Sequence, residues 1–131
     1  MYQQEPPHEK IHSVIELFAN SKKQAAIDEV NALIKDYPKS SLLLNLVGTF
    51  YKAIGTPEKA IQNFENAVAI KPDYAEVHNN LGATLQELGR LEMAVKSYEK
   101  AISIKPDYAE AHYNFGIVLN EFGQRDAAVK S

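Results

Sequence analysis

Cysteine is absent from all 131 residues, which excludes disulfides, thiolate nucleophiles and sulfur-ligated metals while leaving the compartment open. A basic excess is also missing. Fourteen Lys and Arg stand against seventeen Asp and Glu, giving a formal net charge of −3 and a pI near 5.8. The long-range field that draws basic proteins onto phosphate backbones is therefore lacking, and nucleic acid is not expected as a partner. Long hydrophobic runs are lacking too. Leu42-Leu43-Leu44 and the residues around Ile70 are broken far short of the roughly 20 apolar residues that span a bilayer, so no membrane partner is expected. Met1 to Lys10 carries Pro6, Pro7 and charged side chains where a secretory signal has an apolar core. The expectation is a cytoplasmic protein. No nucleophile elbow, phosphate-cradling glycine loop or dinucleotide fingerprint occurs, so neither catalysis nor a cofactor is expected.

What the chain does contain is a period. Composition, 45% hydrophobic and 24% charged, allows one modest core and one folding unit as a starting expectation. Pro38, Pro72 and Pro106 are 34 residues apart, and Lys71-Pro72-Asp73-Tyr74-Ala75-Glu76 returns as Lys105-Pro106-Asp107-Tyr108-Ala109-Glu110. The same interval separates Gly48, Gly82 and Gly116; Gly55, Gly89 and Gly123; Ala60, Ala94 and Ala128; and the rings of Phe64 and Tyr98. Within one period, Val77, His78, Leu81, Leu85 and Leu88 recur at three and four residues, the stripe of a first helix. After Gly89 and Arg90 a second stripe, Met93, Ala94, Val95, Tyr98, Ala101 and Ile102, runs to Lys105-Pro106, where proline cannot continue a helix. Gly82 on one stripe and Ala94 and Ala101 on the other let two backbones approach closely, and Gly89 suits a left-handed turn.

Helix pairs with this pattern of Gly82, Gly89, Ala94, Tyr98, Ala101 and Pro106 resemble the tetratricopeptide repeat, over Ser41 to Ser131 and more loosely from Pro7. The resemblance implies an all-α fold, a right-handed superhelix (α-solenoid) of stacked antiparallel helix pairs, in which each pair buries its apolar surface against the next. The expected organisation is a flexible leader over residues 1–6, a divergent capping hairpin over 7–40, repeats at 41–74 and 75–108, and a repeat at 109–131 whose second helix is cut short. The capping hairpin keeps Ala26, Val30 and Leu33 in register but lacks the glycines. His78, His112 and Leu44 stand where the family often has tryptophan, which lightens the packing. Phe115, Leu119 and Phe122 lose cover at the short last repeat, so homo-oligomerisation through the solenoid ends, or a longer parent protein, is expected.

The family carries peptides on the inner face formed by its first helices. Projection at 100° per residue puts Leu44, Val47, Gly48 and Tyr51 on the packed side. The opposite arc is Leu42, Asn45, Leu46, Thr49, Lys52 and Ala53 in one repeat and Glu76, Asn79, Asn80, Ala83, Gln86 and Glu87 in the next. In the last repeat it is Glu110, Tyr113, Asn114, Ile117, Asn120 and Glu121. Lys52 is the one positive charge among these residues against Glu76, Glu87, Glu110 and Glu121. The basic clamp with which some members grip an acidic C-terminal tail is missing from the matching columns, so a neutral or basic protein or peptide is the expected partner. Asn80 and Asn114 are similar to the asparagine ladder of O-linked N-acetylglucosamine transferase, where amides bind the backbone of an extended peptide; Leu46 breaks that ladder. Each amide bond contributes about 0.5 to 1.5 kcal/mol net, so two rungs bind weakly. The same asparagines could instead bond between helices. Tyr113 offers stacking or a hydroxyl bond, or is a surface ring.

In the N-terminal helix Ile11, Val14, Ile15, Leu17 and Phe18 form a wide apolar arc. Strict register points Ile11, Ile15 and Phe18 into the groove as an apolar contact patch; otherwise the helix is rotated and packs as a cap. Three functions remain open: a peptide- or protein-binding scaffold, a self-assembly module, and the accessory region of a larger enzyme such as a transferase.

One catalytic pattern needs weighing. His8-Glu9-Lys10-Ile11-His12 matches H-E-x-x-H, in which two histidines a helical turn apart bind zinc and the glutamate acts as base. It follows two prolines near the terminus, has no histidine at the metzincin spacing and no well-placed third ligand, whereas a zinc protease needs a buried site. His78 and His112 share a repeat column with Leu44 and are expected to pack near a helix interface. No metal is expected. Zinc titration by calorimetry should give no binding heat; stoichiometric binding abolished by His8→Ala would reinstate the metal site.

Overall fold

The computed structural model describes residues 5–130. Among them are seven helices: α1 (His8–Ala19), α2 (Lys23–Asp36), α3 (Ser41–Ala53), α4 (Pro57–Ile70), α5 (Ala75–Glu87), α6 (Leu91–Ile104) and α7 (Ala109–Lys130). The chain divides into two compact units, Met1–Pro72 and Asp73–Ser131, rather than the single unit suggested by its length. Repeat chains behave this way because each helix pair packs mainly on its neighbours.

In the first unit α1 pairs with α2, α2 with α3, and α3 with α4. Val14, Ala26, Ile27, Val30, Leu33, Leu43, Val47 and Phe50 form one buried cluster. The ring of Phe18 stacks on Phe50, centroids 4.2 Å apart and planes 5° from parallel. Ile11 also packs against this cluster, and Ile15 stays 45% exposed. Ile11 and Ile15 line one shallow concavity with His8, Glu9 and His12, while Phe18 turns from that patch to the core. Ile11 and Phe18 pack as a cap, because stacking on Phe50 removes more apolar surface from water than facing an open groove.

The leader is likewise shorter than expected. Pro6 is buried, and the Ser40 hydroxyl donates to the Glu5 carboxylate at 2.7 Å while accepting from the Leu43 amide at 3.2 Å as the N-cap of α3. Residues 5 and 6 are therefore held, and the rest of the expected leader lies outside the described residues.

In the two full repeats a glycine meets an aromatic ring. A β-carbon built on Gly48 would lie 2.6 Å from the Phe64 ring, and one on Gly82 would lie 2.8 Å from the Tyr98 ring. Phe64 and Tyr98 are fully buried, as are the flanking Ala60, Ala67, Ala94 and Ala101. The 34-residue interval therefore has a mechanical cause: glycine opens a slot and the ring fills it.

The hairpin turns share a second register. Gly55 and Gly89 have φ of 83° and 74°, and Ser21, 34 residues before Gly55, has φ of 66°. A left-handed backbone costs an L-residue about 1–2 kcal/mol, which glycine avoids. The expected glycine is missing here, but its conformation is kept.

In the second unit α5 pairs with α6, and α7 packs on α6 with fewer contacts to α5. The expected second helix of the last repeat is not formed. Instead α7 runs 22 residues through Gly116 and Gly123 to Lys130. The residues after Gly123, Gln124 to Lys130, are too few to nucleate a separate helix, which needs about 12 residues to be even marginal. Continuing α7 keeps each amide in the i to i−4 ladder at the cost of two helical glycines, about 1 kcal/mol each.

Ser21→Gly should relieve the left-handed strain at the α1–α2 turn and raise stability by about 1 kcal/mol in a urea melt. An unchanged or lower midpoint would remove strain at Ser21 from the account of this turn.

Candidate functional site

The arc predicted to face a ligand separates into two kinds of residue. Glu76 and Glu110 open α5 and α7, at helix N-termini where a carboxylate opposes the positive end of the dipole. Both are exposed, as are Glu87, Asn120, Tyr113 at 71% and Ile117 at 39%; Asn80 and Ala83 are half-buried. On α3, Thr49 is exposed with its hydroxyl donating to the Asn45 carbonyl at 2.9 Å, and Asn45 and Lys52 are half-buried.

The other residues close on one another. Asn79 is buried at 2% exposure, accepts from the Asn114 amide at 3.3 Å and donates over a long 3.5 Å to the Tyr108 hydroxyl. The buried Tyr98 hydroxyl donates to Gln86 Oε1 at 2.9 Å, and Gln86 Nε2 donates to Glu121 at 2.7 Å. These bonds tie α6 to α5 and α5 to α7. Among the described residues no buried side-chain polar atom lacks a partner. The polar groups thus stabilise by being complete; opening one side leaves an orphan costing about 1–3 kcal/mol.

Asn79, Gln86 and Asn114 therefore hold the helices together, and the Asn114 rung of the proposed ladder uses one amide hydrogen in doing so. Spacing within one helix could not show this, since the partner stands on another helix. Tyr98, read as a packing ring, and Tyr108 are the polar members the sequence left out; the signal available was a phenol in a core column, because a buried hydroxyl needs an acceptor.

The carboxylates shape the potential here. Burial first, then the charges of Glu110, Glu121 and Glu87, push the Tyr98 phenol up from 10.0 to about 12. Tyr108 is raised by burial and then by Glu110 and Glu76, with its Asn79 bond acting in the opposite direction. Four glutamates on α5 and α7 thus act on the same small region.

Among the described residues no three His, Asp or Glu side chains converge on one point. His12 lies 4.0 Å from Glu16 on an exposed face, and His112, exposed, donates from Nε2 to the Pro106 carbonyl at 2.7 Å. His78 is half-buried. Nor is any described helix long and apolar enough to cross a membrane.

A family model described as TPR repeat matches residues 48–89 and 84–123. No curated protein matches the chain. Among solved structures, the crystal structure of MamA is 26% identical and covers 92% of this chain and 71% of its own, with a TM-score of 0.81. A mutant of Thermobaculum terrenum O-GlcNAc transferase is also 26% identical, covering 86% of this chain and 22% of that one at a TM-score of 0.77. The first TPR of Spaghetti (RPAP3), bound to the HSP90 peptide SRMEEVD, shares the fold at 20% identity, 92% and 98% coverage and a TM-score of 0.83.

Tyr98 gives this region a titration readout. The unfolded chain releases the phenol proton near pH 10 and the folded chain near 12, so the stability from the neutral phenol is whole below pH 10 and lost as pH rises through 12. Urea melts across that range should fall more steeply for the native chain than for Tyr98→Phe, which loses about 0.5–1.5 kcal/mol at neutral pH with the Gln86 bond. Parallel alkaline profiles would show that Tyr98 is not the group responsible.

Proposed function

Because this chain belongs to the tetratricopeptide-repeat family and has its all-α solenoid fold, we propose that it is a protein-interaction scaffold. Its ligand is an extended peptide or a partner protein, neutral or basic, bound on the faces of the first helices. The observation that carries this reading is the acidic field on α5 and α7. Glu76, Glu87 and Glu110 are exposed there and Glu121 is half-buried, with exposed Tyr113 and Ile117 on the same helices as apolar contacts. A peptide with lysine or arginine meets opposite charge on this face, whereas an acidic tail such as that held by the Spaghetti repeat meets repulsion.

Asn80 and Ala83 supply an amide and a small residue on α5; in the first unit, taken by itself, Asn45, Thr49 and Lys52 are the proposed contacts on α3. The amide of Asn80 matches the donor and acceptor of one peptide unit whatever its side chain, so charge and the Tyr113 ring set selectivity. The reading assigns no reaction to the chain, since recognition of this kind needs only complementary surface.

Fluorescence anisotropy with extended peptides of graded charge tests the reading. Basic peptides should bind more tightly than acidic ones of equal length, with affinity falling as salt rises. Glu76→Gln with Glu110→Gln should weaken the basic peptides by up to about fivefold per exposed charge, and Tyr113→Ala by about tenfold. Equal binding of acidic and basic peptides would sink the charge preference.

A further inference from the structure

The first helices α3, α5 and α7 start alike except at one side chain. Ser40, Tyr74 and Tyr108 are 34 residues apart and stand immediately before them. Their backbones agree. Ser40 and Tyr74 have φ of −81° and −84° with ψ of 100° and 86°. All three carbonyls accept from the amide four residues on, at 3.2, 3.2 and 3.1 Å, and the Ser40 and Tyr108 amides donate to Tyr37 and Lys105 at 3.1 and 3.0 Å. Position 40 therefore has the backbone for a tyrosine and lacks the ring.

In the second unit the ring closes a seam. Tyr108 is half-buried and its hydroxyl accepts from Asn79 over 3.5 Å, which joins α5 to the start of α7. In the first unit the column of Asn79 holds Ile11 on α1, and no ring comes from position 40. The chain's own leader is there instead. Pro6 is buried, and the fully buried Ser40 donates its hydroxyl to the Glu5 carboxylate at 2.7 Å.

We propose that Glu5-Pro6 is a detachable strap, an intramolecular ligand that replaces the tyrosine ring in the seam between α1 and the start of α3. A ring at a helix start is fixed to that helix, whereas Glu5 and Pro6 precede α1, which begins at His8, so they leave without unfolding it. Helix α3 keeps its start in either state. The Leu43 amide still donates to Ser40 at 3.2 Å, and α5 begins on Tyr74 with no side-chain cap at all. One side-chain bond and one proline hold the strap, which puts its release at the low end of local opening. Ile11, whose amide donates to the Pro7 carbonyl at 3.4 Å, already lines a shallow concavity with Ile15. Release extends that apolar concavity toward the start of α3, so the strap governs how much apolar surface the cap helix shows.

Nitrogen-15 relaxation of the full chain tests this. In the native chain the amide of Glu5 should have the order parameter of a rigid backbone, about 0.85. In Ser40→Tyr the ring takes the seam, and the value should fall below about 0.6 while helix content by circular dichroism stays intact. Glu5→Ala with Pro6→Gly should free residue 5 without any ring having to fit, since the Leu43 bond to Ser40 is untouched. That pair should also lower the urea midpoint of the native chain by at least about three times as much as that of Ser40→Tyr. The effect of glycine on the unfolded chain is common to both backgrounds and cancels. The proposal is overturned by a Glu5 as ordered in Ser40→Tyr as in the native chain, or by equal midpoint shifts in the two backgrounds. Loss of helix content in either variant overturns it too, because the ring would then not fit the seam or the strap could not leave alone.

Discussion

Everything in this fold depends on how close two helices can come. Gly48 and Gly82 have no side chain, so the Phe64 and Tyr98 rings lie against bare backbone, and each ring removes from water an apolar area worth about 1.5–3 kcal/mol. The approach is closer than any β-carbon allows. It sets the distance between paired helices, requires alanine on either side of the ring, and so dictates the three columns by which the repeat is visible. Where the ring is missing, at Gly116, helix α7 is left with apolar residues half in water.

Polar groups do a different task in the second unit. Asn79, Asn114 and Tyr108 on one side and Tyr98, Gln86 and Glu121 on the other form two short chains of hydrogen bonds between helices. Buried amides and phenols gain little net energy over their hydration, but each is costly to leave unpaired, so such chains favour one helix register over its alternatives. They also divide the first-helix faces. Residues aimed at the neighbouring helix are committed to it, while Glu76, Ala83, Glu110, Tyr113, Ile117 and Asn120 stand outside these two hydrogen-bonded chains. The same glutamates that shift Tyr98 and Tyr108 give those faces their sign.

Helix existence was legible because it rests on local rules. Periodicity, proline and the glycine columns placed the pairs at 41–74 and 75–108, and Ser21 shows that the turn conformation persists where its usual residue has gone. The ends were less legible. Pro6 is buried and Glu5 is bonded to Ser40, 35 residues away, and Phe18 stacks on Phe50, so the fate of the leader and of the α1 apolar arc lay with residues on another helix. At the other end, the glycine at 123 signals a turn, yet a turn forms only when the helix beyond it can bury enough surface to offset its nucleation.

The amino-acid sequence by itself determined the helical repeat, its 34-residue interval, the all-α class and the excess of acid on the first-helix faces, because spacing, backbone preference and charge are carried by each residue locally. Tertiary structure alone decided which asparagines are engaged, that Tyr98 and Tyr108 belong to the polar network, and that α7 continues past Gly123. Those outcomes depend on what stands opposite a side chain or helix, and opposition between helices is a property of packing.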